Sequence, residues 1–428
     1  MIHSLEQPAI VSIYSEQRRA SVNIVLWFLA LFGLTSVTAL FMFYVKPIPL
    51  PLGGIFALGI VIVFWYWPHY GLYTVIMFSL LGDALLWPWY PFVKNLSSPE
   101  SILYISNALI FSPAELCMCL VLAIWLVKSA ARRKFHLYQG LFFWPLLTFT
   151  FFLAGGLIYG LGTGGNTNIA LWEVRPIFYI PLMAVLVSNL MHRPDQILFA
   201  VYLAMAALFV EGLIGSYHYI VKLQMNLAGI EAITEHSAAV HMNTLFIFVL
   251  ACWLYRTPGI QKWALLFTIP PILVTYLVTQ RRAAFLSLGV ALLLMTIILY
   301  RENRAVFWRI VPIAGLCGIT YLALFWNSGG MLGLPARAVK SVVAPESNSA
   351  DALSNIYRVI ENINVNFTIH MAPLTGVGFG QKFYILMPTP DISFFIWWEY
   401  IVHNSILWIW MKAGLLGFLS LLVLISFG

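Results

Sequence analysis

The sequence predicts an all-α protein, a polytopic membrane helix bundle of about twelve transmembrane helices. Apolar stretches long enough to cross a bilayer recur from Ser21 to the last residue. Hydrophobic residues make up 61% of the chain and charged residues only 9%, whereas a soluble domain carries about 25% charged residues. So few charges cannot build a water-facing surface. The whole chain, residues 1–428, is therefore expected to form a single integral membrane domain.

A membrane-spanning helix needs about 20 mostly apolar residues. In chain order, the predicted segments are Val22–Val45, Leu50–Trp67, Tyr70–Leu86, Ala114–Val127, Leu141–Gly160, Ile169–Leu190, Gln196–Val221, Ser237–Tyr255, Trp263–Thr279, Ala283–Tyr300, Phe307–Trp326 and Ile401–Ile425.

Lysine and arginine residues predict the orientation of these segments, because they collect in the cytoplasmic connections of membrane proteins. With both termini inside, nearly every inside connection is basic, and the connection at Pro68 is the exception. The one long connection, Asn327–Tyr400, is then an extracytoplasmic loop. The inside basic residues are Arg18, Arg19, Lys128, Arg132, Arg133, Lys134, Arg193, Arg256, Lys262, Arg301, Arg304 and Arg309.

Composition argues against several other classes of protein. The net charge of +7 is weak evidence for nucleic acid, because basic residues in a membrane protein are first of all topology signals. All four cysteines lie in apolar runs, so neither a disulfide framework nor a zinc site is indicated. His236 and His241 stand five apart, which does not place them on one helix face for a metal. No cleavable signal peptide is evident. We expect a lipid bilayer as partner, and no nucleic acid, metal or cofactor.

Several basic residues oppose this topology because they fall on the outer face. Arg281 and Arg282 lie between two segments, and Arg175 lies about one helical turn inside the sixth segment. Snorkelling to lipid headgroups explains any one of them. Their concentration in the second half of the chain favours a functional role for the set. The long loop adds Arg337, Lys340, Arg358 and Lys382.

Acidic residues inside the predicted segments are costly in lipid. We expect Asp83, Glu115 and Glu211 to have structural partners within the bundle. Glu173 precedes Arg175 by two residues, a spacing that points the two side chains apart on a helix.

The long loop is the one sizeable element outside the bilayer. Between Ala352 and Phe367, its apolar residues recur at steps of three and four, which predicts an amphipathic helix on the membrane surface or on the bundle. Gly376, Gly378 and Gly380 predict a flexible turn where backbone can approach a ligand closely. An aromatic belt then precedes the last segment. Its members are Phe394, Phe395, Trp397, Trp398 and Tyr400.

Three short motifs stand in order in the second half of the chain. The first is TQRRAAFLSL at Thr279–Leu288. The second joins SNIYR at Ser354–Arg358 to PLTGVGFG at Pro373–Gly380. The third joins HNSIL at His403–Leu407 to AGLLG at Ala413–Gly417. In this order and at these separations the motifs resemble the O-antigen ligase and polymerase family of bacterial envelope polysaccharide enzymes. The first half of the chain resembles that family only in its hydropathy.

The resemblance implies an inverting, metal-independent glycosyl transfer at the outer face of the bacterial cytoplasmic membrane. The donor would be a glycan on a polyprenyl diphosphate lipid, and the acceptor a hydroxyl of a glycolipid, glycan or protein. The family's motif arginine matches Arg282, with Arg281 as a neighbour, and its loop arginine matches Arg358. Its histidine matches His403. Arg175 matches an earlier arginine by position in the topology. These four arginines would bind the donor diphosphate, and His403 and Arg282 would be catalytic.

The physical chemistry of these residue types agrees with that implication. Guanidinium groups bind phosphate oxygens bidentately and stay charged at any relevant pH. Histidine titrates near neutral pH, so His403 can accept the proton of an attacking hydroxyl. Each residue also has a simpler explanation. Arg281 and Arg282 can anchor to headgroups, Arg358 can be the solvated face of a helix, and His403 with Asn404 can simply begin a helix at the interface.

Three other classes stay open on the sequence alone. A transporter or flippase of lipid-linked oligosaccharides shares the many helices and the basic cavity, but its charges should run along a path accessible from both sides. A metal-dependent, lipid-phosphate-linked glycosyltransferase relies on acids in the first outer loop, and Lys46–Leu50 has none. A binding or scaffold protein is the third class. The sequence does not choose between ligase and polymerase. The family continues beyond the AGLLG helix, whereas this chain ends at Gly428 in apolar sequence.

Overall fold

The computed structural model describes residues 49–427, apart from short gaps. The predicted segment Val22–Val45 lies outside the described residues, as do Phe394 and Phe395 of the aromatic belt. The gaps are positions 84, 87–91, 102, 103, 105, 108, 134, 136, 228, 229, 231, 256–260, 329, 345–349 and 391–396.

The described residues form helices joined by turns and loops. A π-helical turn, His218–Lys222, extends the sixth helix, and a 3₁₀ turn, Met331–Gly333, precedes the eleventh. In chain order the helices are α1 (Pro49–Tyr66), α2 (Pro68–Leu80), α3 (Pro113–Ala131), α4 (Phe143–Gly162), α5 (Thr167–Leu190), α6 (Pro194–Tyr217), α7 (His236–Leu254), α8 (Gln261–Val278), α9 (Arg282–Glu302), α10 (Arg304–Phe325), α11 (Leu334–Val343), α12 (Ala350–Met371) and α13 (Ser405–Ser426).

Each predicted segment within the described residues coincides with one of these helices. Eight of the described helices are long and apolar enough to cross a membrane, which confirms a helical, multi-pass membrane protein. One of these helices, α2, is shorter than predicted. We expected Tyr70–Leu86, but α2 has 13 residues, about 20 Å of helix against a hydrocarbon core of about 30 Å. The chain turns at Asp83, whose Oδ1 accepts the Leu85 N–H at 2.9 Å. The count of twelve stays a prediction.

Apolar side chains pack in clusters that each join several helices. One cluster joins α1, α2, α3 and α5 around Leu72 and Val121. A second joins α6, α7, α8 and α9 around Met242 and Ile272. A third joins α4, α5 and α13 around Leu153. In contrast, α10 has no buried residue, as expected for an apolar helix whose surroundings are lipid.

The connections predicted to share one side of the membrane meet at one end of the bundle, here called the loop end. Asp83 Oδ2, after α2, accepts the N–H of Glu235, before α7, at 2.8 Å. Gln280, after α8, donates its side-chain N–H to a carbonyl in the same connection before α7, at 2.7 Å. Asn166, between α4 and α5, donates its N–H to the Gly380 carbonyl of the long loop at 2.9 Å. These contacts agree with the predicted alternation of the segments. The side of the membrane that the loop end faces stays a prediction.

The glycine turn of the long loop is packed, and the expectation of a flexible turn is corrected. Gly376, Gly378 and Gly380 have φ of 67°, 86° and 79°, a region that favours glycine. A Cβ on Gly378 would lie 2.3 Å from Gly160 Cα of α4, and one on Gly376 would lie 2.5 Å from the Met411 carbonyl of α13. The backbone does make a close approach, but its partners are the protein's own helices.

Candidate active site

α12 presents an apolar face outward and a polar face to the protein. The apolar residues Leu353, Ile356 and Val359 are 64%, 50% and 59% exposed. This face therefore does not pack on the bundle, and its position on the membrane surface stays a prediction. The buried residues of the opposite face are Tyr357, Glu361, Asn364, Val365, Thr368 and Ile369.

The buried polar side chains of α12 fix the loop that follows the glycine turn. Asn364 Oδ1 accepts the N–H groups of Leu386 and Met387 at 2.9 and 2.8 Å. Thr368 Oγ1 accepts the N–H of Tyr384 at 2.8 Å. Because buried backbone donors require partners, these bonds hold α12 in one position relative to the loop.

His403 is held by a buried carboxylate of α12. Its Nδ1 lies 3.1 Å from both Glu361 Oε1 and Oε2, and its backbone N–H donates to Glu361 Oε2 at 3.0 Å. The Glu361 side chain is 1% exposed, whereas that of His403 is 54% exposed. A carboxylate that accepts the Nδ1 proton leaves Nε2 as the basic nitrogen of the ring. The arrangement therefore provides an accessible, oriented base. We name Glu361 and His403 the His–Glu pair.

Tyr357 completes the surroundings of the His–Glu pair. Its hydroxyl donates to Glu361 Oε1 at 3.3 Å, and its ring meets the His403 ring edge-on at 5.7 Å between centroids. Burial, together with the charge of Glu361, raises the pKa of Tyr357, so the hydroxyl keeps its proton and acts as a donor. Arg358, the next residue, is exposed.

The simpler explanation of the HNSIL motif was that His403 and Asn404 begin a helix, and a helix does begin there. Asn404 is the N-cap of α13, and its Oδ1 accepts the Leu407 N–H at 3.3 Å. Capping accounts for Asn404. It does not account for His403, whose ring faces a carboxylate of another helix.

Two of the three motifs are in direct backbone contact. The N–H of Val377 donates to the Met411 carbonyl at 2.7 Å, and the N–H of Leu415 donates to the Pro373 carbonyl at 3.1 Å. Between these bonds, Gly414 has a φ of 70° that interrupts α13. The PLTGVGFG and AGLLG motifs therefore form one unit, which holds the first turns of α13 and the His403 preceding them.

A buried ion pair anchors that unit to α5. Lys412 Nζ lies 2.8 Å from Glu173 Oε1, and both side chains are 0% exposed. Glu173 Oε2 also accepts the Gly380 N–H at 2.6 Å, and Lys412 donates to the Gln381 carbonyl at 2.5 Å. Sequence reasoning gave Glu173 no partner and overlooked Lys412, because a lone lysine in an apolar helix carries no pattern that names its partner.

Arg175 lines a separate cavity of about 560 Å³ between α2, α3, α5 and α7. Its Nε donates to Glu115 Oε1 at 2.7 Å, and its Nη2 donates to Asn95 Oδ1 at 3.4 Å. Its guanidinium stacks over Trp172, 5.4 Å from the ring centroid. Glu115 thus has the structural partner expected of it. The Glu115 carboxylate already balances the charge of Arg175. A diphosphate bound here would therefore compete with Glu115 for the N–H donors of the guanidinium.

Arg281 and Arg282 begin α9 at the loop end. Arg281 is the N-cap residue and Arg282 the first helical residue, so their charges add to the exposed N–H groups and positive dipole end of the helix. The side chain of Asn243, on α7, donates to the Ala284 carbonyl and to Ser287 Oγ, both at 2.9 Å. α7 therefore fixes the position of this helix start, which is suited to an anion.

The structure thus distributes the predicted residues over three places at the loop end. His403 is next to Tyr357 and Glu361, with Arg358 following in sequence. Arg281 and Arg282 are at the start of α9, and Arg175 is in its own cavity. Among the described residues, no cluster of three or more His, Cys, Asp and Glu side chains is arranged to hold a metal ion. Sequence reasoning missed Glu361. The sequence pattern that could have identified Glu361 is helical spacing. Polar residues recur there at steps of three and four, opposite the apolar face, at Tyr357, Glu361, Asn364 and Thr368.

The fold and the site together define a multi-pass helical membrane protein with basic residues and an oriented histidine gathered at one end. Residues 263–422 match the family model described as O-antigen ligase. This match confirms the resemblance to the O-antigen ligase and polymerase family over that part of the chain, and it supports glycosyl transfer in O-antigen assembly in general. Comparison with curated proteins and with solved structures found no significant match.

Proposed function

We propose that this protein transfers a glycan from a polyprenyl-diphosphate lipid to an acceptor hydroxyl at the outer face of the bacterial cytoplasmic membrane. The transfer is inverting and metal-independent. The observation that carries this proposal is the His–Glu pair. The Glu361 carboxylate is buried and lies 3.1 Å from His403 Nδ1, while the other side of the ring is accessible. A transporter does not require such a base, whereas hydroxyl attack does.

The proposed step forms one bond and breaks one. The acceptor oxygen attacks the anomeric carbon as its proton passes to His403 Nε2. The bond between that carbon and the diphosphate oxygen breaks on the opposite face, which inverts the configuration. The electron pair leaves with the diphosphate, whose added negative charge is stabilised by guanidinium groups. His403 later releases its proton to water.

In this proposal the arginines have unequal parts. Arg282, assisted by Arg281 and the α9 N-terminus, binds the donor diphosphate. We assign a second guanidinium to Arg358, which is exposed and precedes Glu361 by three residues on α12, a spacing that puts the two residues on neighbouring positions of the helix surface. Arg175 contributes from the edge of its cavity while paired with Glu115.

The test uses purified full-length protein in detergent with a lipid-linked glycan and its acceptor. His403→Ala should lower turnover by roughly 10²–10⁴-fold, the contribution of a positioned general base, and leave donor binding nearly unchanged. His370→Ala is the matched control, because His370 is an exposed histidine on the same helix as Glu361. Chelator should not inhibit.

Two results would contradict the proposal. Equal loss of donor affinity and turnover in His403→Ala would move the residue from catalysis to donor binding. Absence of any transfer by the wild-type protein, together with translocation of the lipid-linked glycan in proteoliposomes, would favour the transporter alternative.

A further inference from the structure

A second cavity at the loop end, of about 640 Å³, is lined by Tyr159, Tyr384 and Tyr400. We name it the tyrosine cavity. It lies between the end of α4, the turn before α5, the glycine turn and the end of the long loop. From its lining we infer that the tyrosine cavity binds a saccharide. This inference rests on the proposed function and adds a binding subsite to it.

The lining combines aromatic rings with fixed amide groups. Tyr159 and Tyr384 are 42% and 52% exposed. The Gln381 side chain is held by hydrogen bonds from its Nε2 to the Gly160 carbonyl and to Thr163, at 3.3 and 3.1 Å. Rigid amphipathic rings beside amides suit a ligand that has apolar C–H faces and many hydroxyls.

Charge separates this cavity from a diphosphate site. Among its described lining residues, Lys382 supplies the one full charge. Lys382 is paired with Glu399 at 2.5 Å, and the hydrogen bond that it donates to the Glu399 carboxylate raises the pKa of Lys382. The nearby Lys412 is buried against Glu173. A cavity whose cations are already neutralised favours an uncharged ligand over an anion.

The tyrosine cavity also lies near the His–Glu pair. Tyr400 precedes His403 by three residues, which spans at most about 11 Å of chain. The Tyr384 N–H is bonded to Thr368, and Thr368 is seven residues from Glu361 on α12, about 10 Å of helix. A short oligosaccharide in the cavity can therefore extend toward the accessible His403 ring.

The binding experiment needs no transfer activity. Saturation-transfer NMR is applied to His403→Ala protein in detergent with maltotetraose, chitotetraose and inorganic diphosphate as probes. We expect at least one oligosaccharide to bind, and the combined Tyr159→Ala and Tyr384→Ala changes to weaken it roughly tenfold or more. Tyr138→Ala is the control, because Tyr138 is 56% exposed and lies outside the cavity. Tyr159→Phe with Tyr384→Phe, which keeps the rings, should retain most of the binding.

Kinetic measurements on the Tyr159→Ala, Tyr384→Ala double variant, with His403 intact, show whether the bound sugar belongs to the acceptor or to the donor. A rise of about tenfold in the KM of the acceptor, with turnover and donor KM unchanged, identifies an acceptor subsite. The same rise in the KM of the donor identifies the donor's glycan, and either result supports the inference. Competition by diphosphate, absence of binding by every oligosaccharide, or equal binding in the alanine and control proteins would overturn it. Failure of the proposed function appears differently, as sugar binding without transfer.

Discussion

The contact within the His–Glu pair predicts that changes at Glu361 and His403 have coupled effects on turnover. Glu361→Gln keeps the shape of the side chain but replaces one oxygen by an amide N–H₂. That group can donate to His403 Nδ1, which lies 3.1 Å from the present carboxylate, and the ring proton then moves to Nε2. The accessible nitrogen is no longer basic, so turnover should fall by roughly 10²–10⁴-fold.

This loss corresponds to about 2.7–5.5 kcal/mol of transition-state stabilisation. Because Glu361 acts through His403, the two losses should not add. The Glu361→Gln, His403→Ala double variant should be no slower than His403→Ala alone. Glu361→Gln should also change the pH profile of kcat/KM, whereas donor binding should stay nearly unchanged because the Glu361 carboxylate is buried against His403 and Tyr357.

The assay is turnover of purified protein across pH, with thermal denaturation recorded for each variant. Loss of one buried acceptor costs about 1–3 kcal/mol of stability, so a folding effect is expected and must be separated from the kinetic one. Additive losses in the double variant, or full turnover by Glu361→Gln with an unchanged pH profile, would refute the coupling and reduce Glu361 to a structural contact.

Three further predictions concern other parts of the chain. Arg282→Lys should recover little of the activity lost in Arg282→Ala, because one ammonium cannot reproduce a bidentate fork; donor KM is measured against Arg304→Lys, and near-normal activity would indicate a headgroup anchor. Lys412→Met should lower the free energy of unfolding by about 3–5 kcal/mol, because it leaves the buried Glu173 carboxyl without its countercharge, whereas adding Glu173→Leu should restore it; equal losses in both would exclude this explanation. A cysteine at Ser347, outside the described residues, should react with an impermeant thiol reagent in intact spheroplasts, and labelling only after lysis would reverse the topology.

Hydropathy was sufficient to predict the long apolar helices among the described residues, because a bilayer imposes a local requirement. Every backbone group in the hydrocarbon core must be paired within its own helix, so span and length are encoded in consecutive residues. The exception, the short α2, ends where Asp83 binds the α7 N-terminus, a contact that no local pattern specifies. His403 was singled out by the order of short local motifs, and its catalytic role stays a prediction.

Only the tertiary structure decided which distant residues come into contact. Glu361 and His403 are 42 residues apart, and Glu173 pairs with Lys412 of the last helix instead of Arg175 nearby. The sequence alone predicted an apolar stripe on α12, but the structure turned that stripe outward and buried the polar one. The physical reason is the surrounding solvent. In water an apolar stripe must pack against protein, whereas beside a bilayer it can face lipid, and the buried polar groups are then the ones that must find partners within the protein.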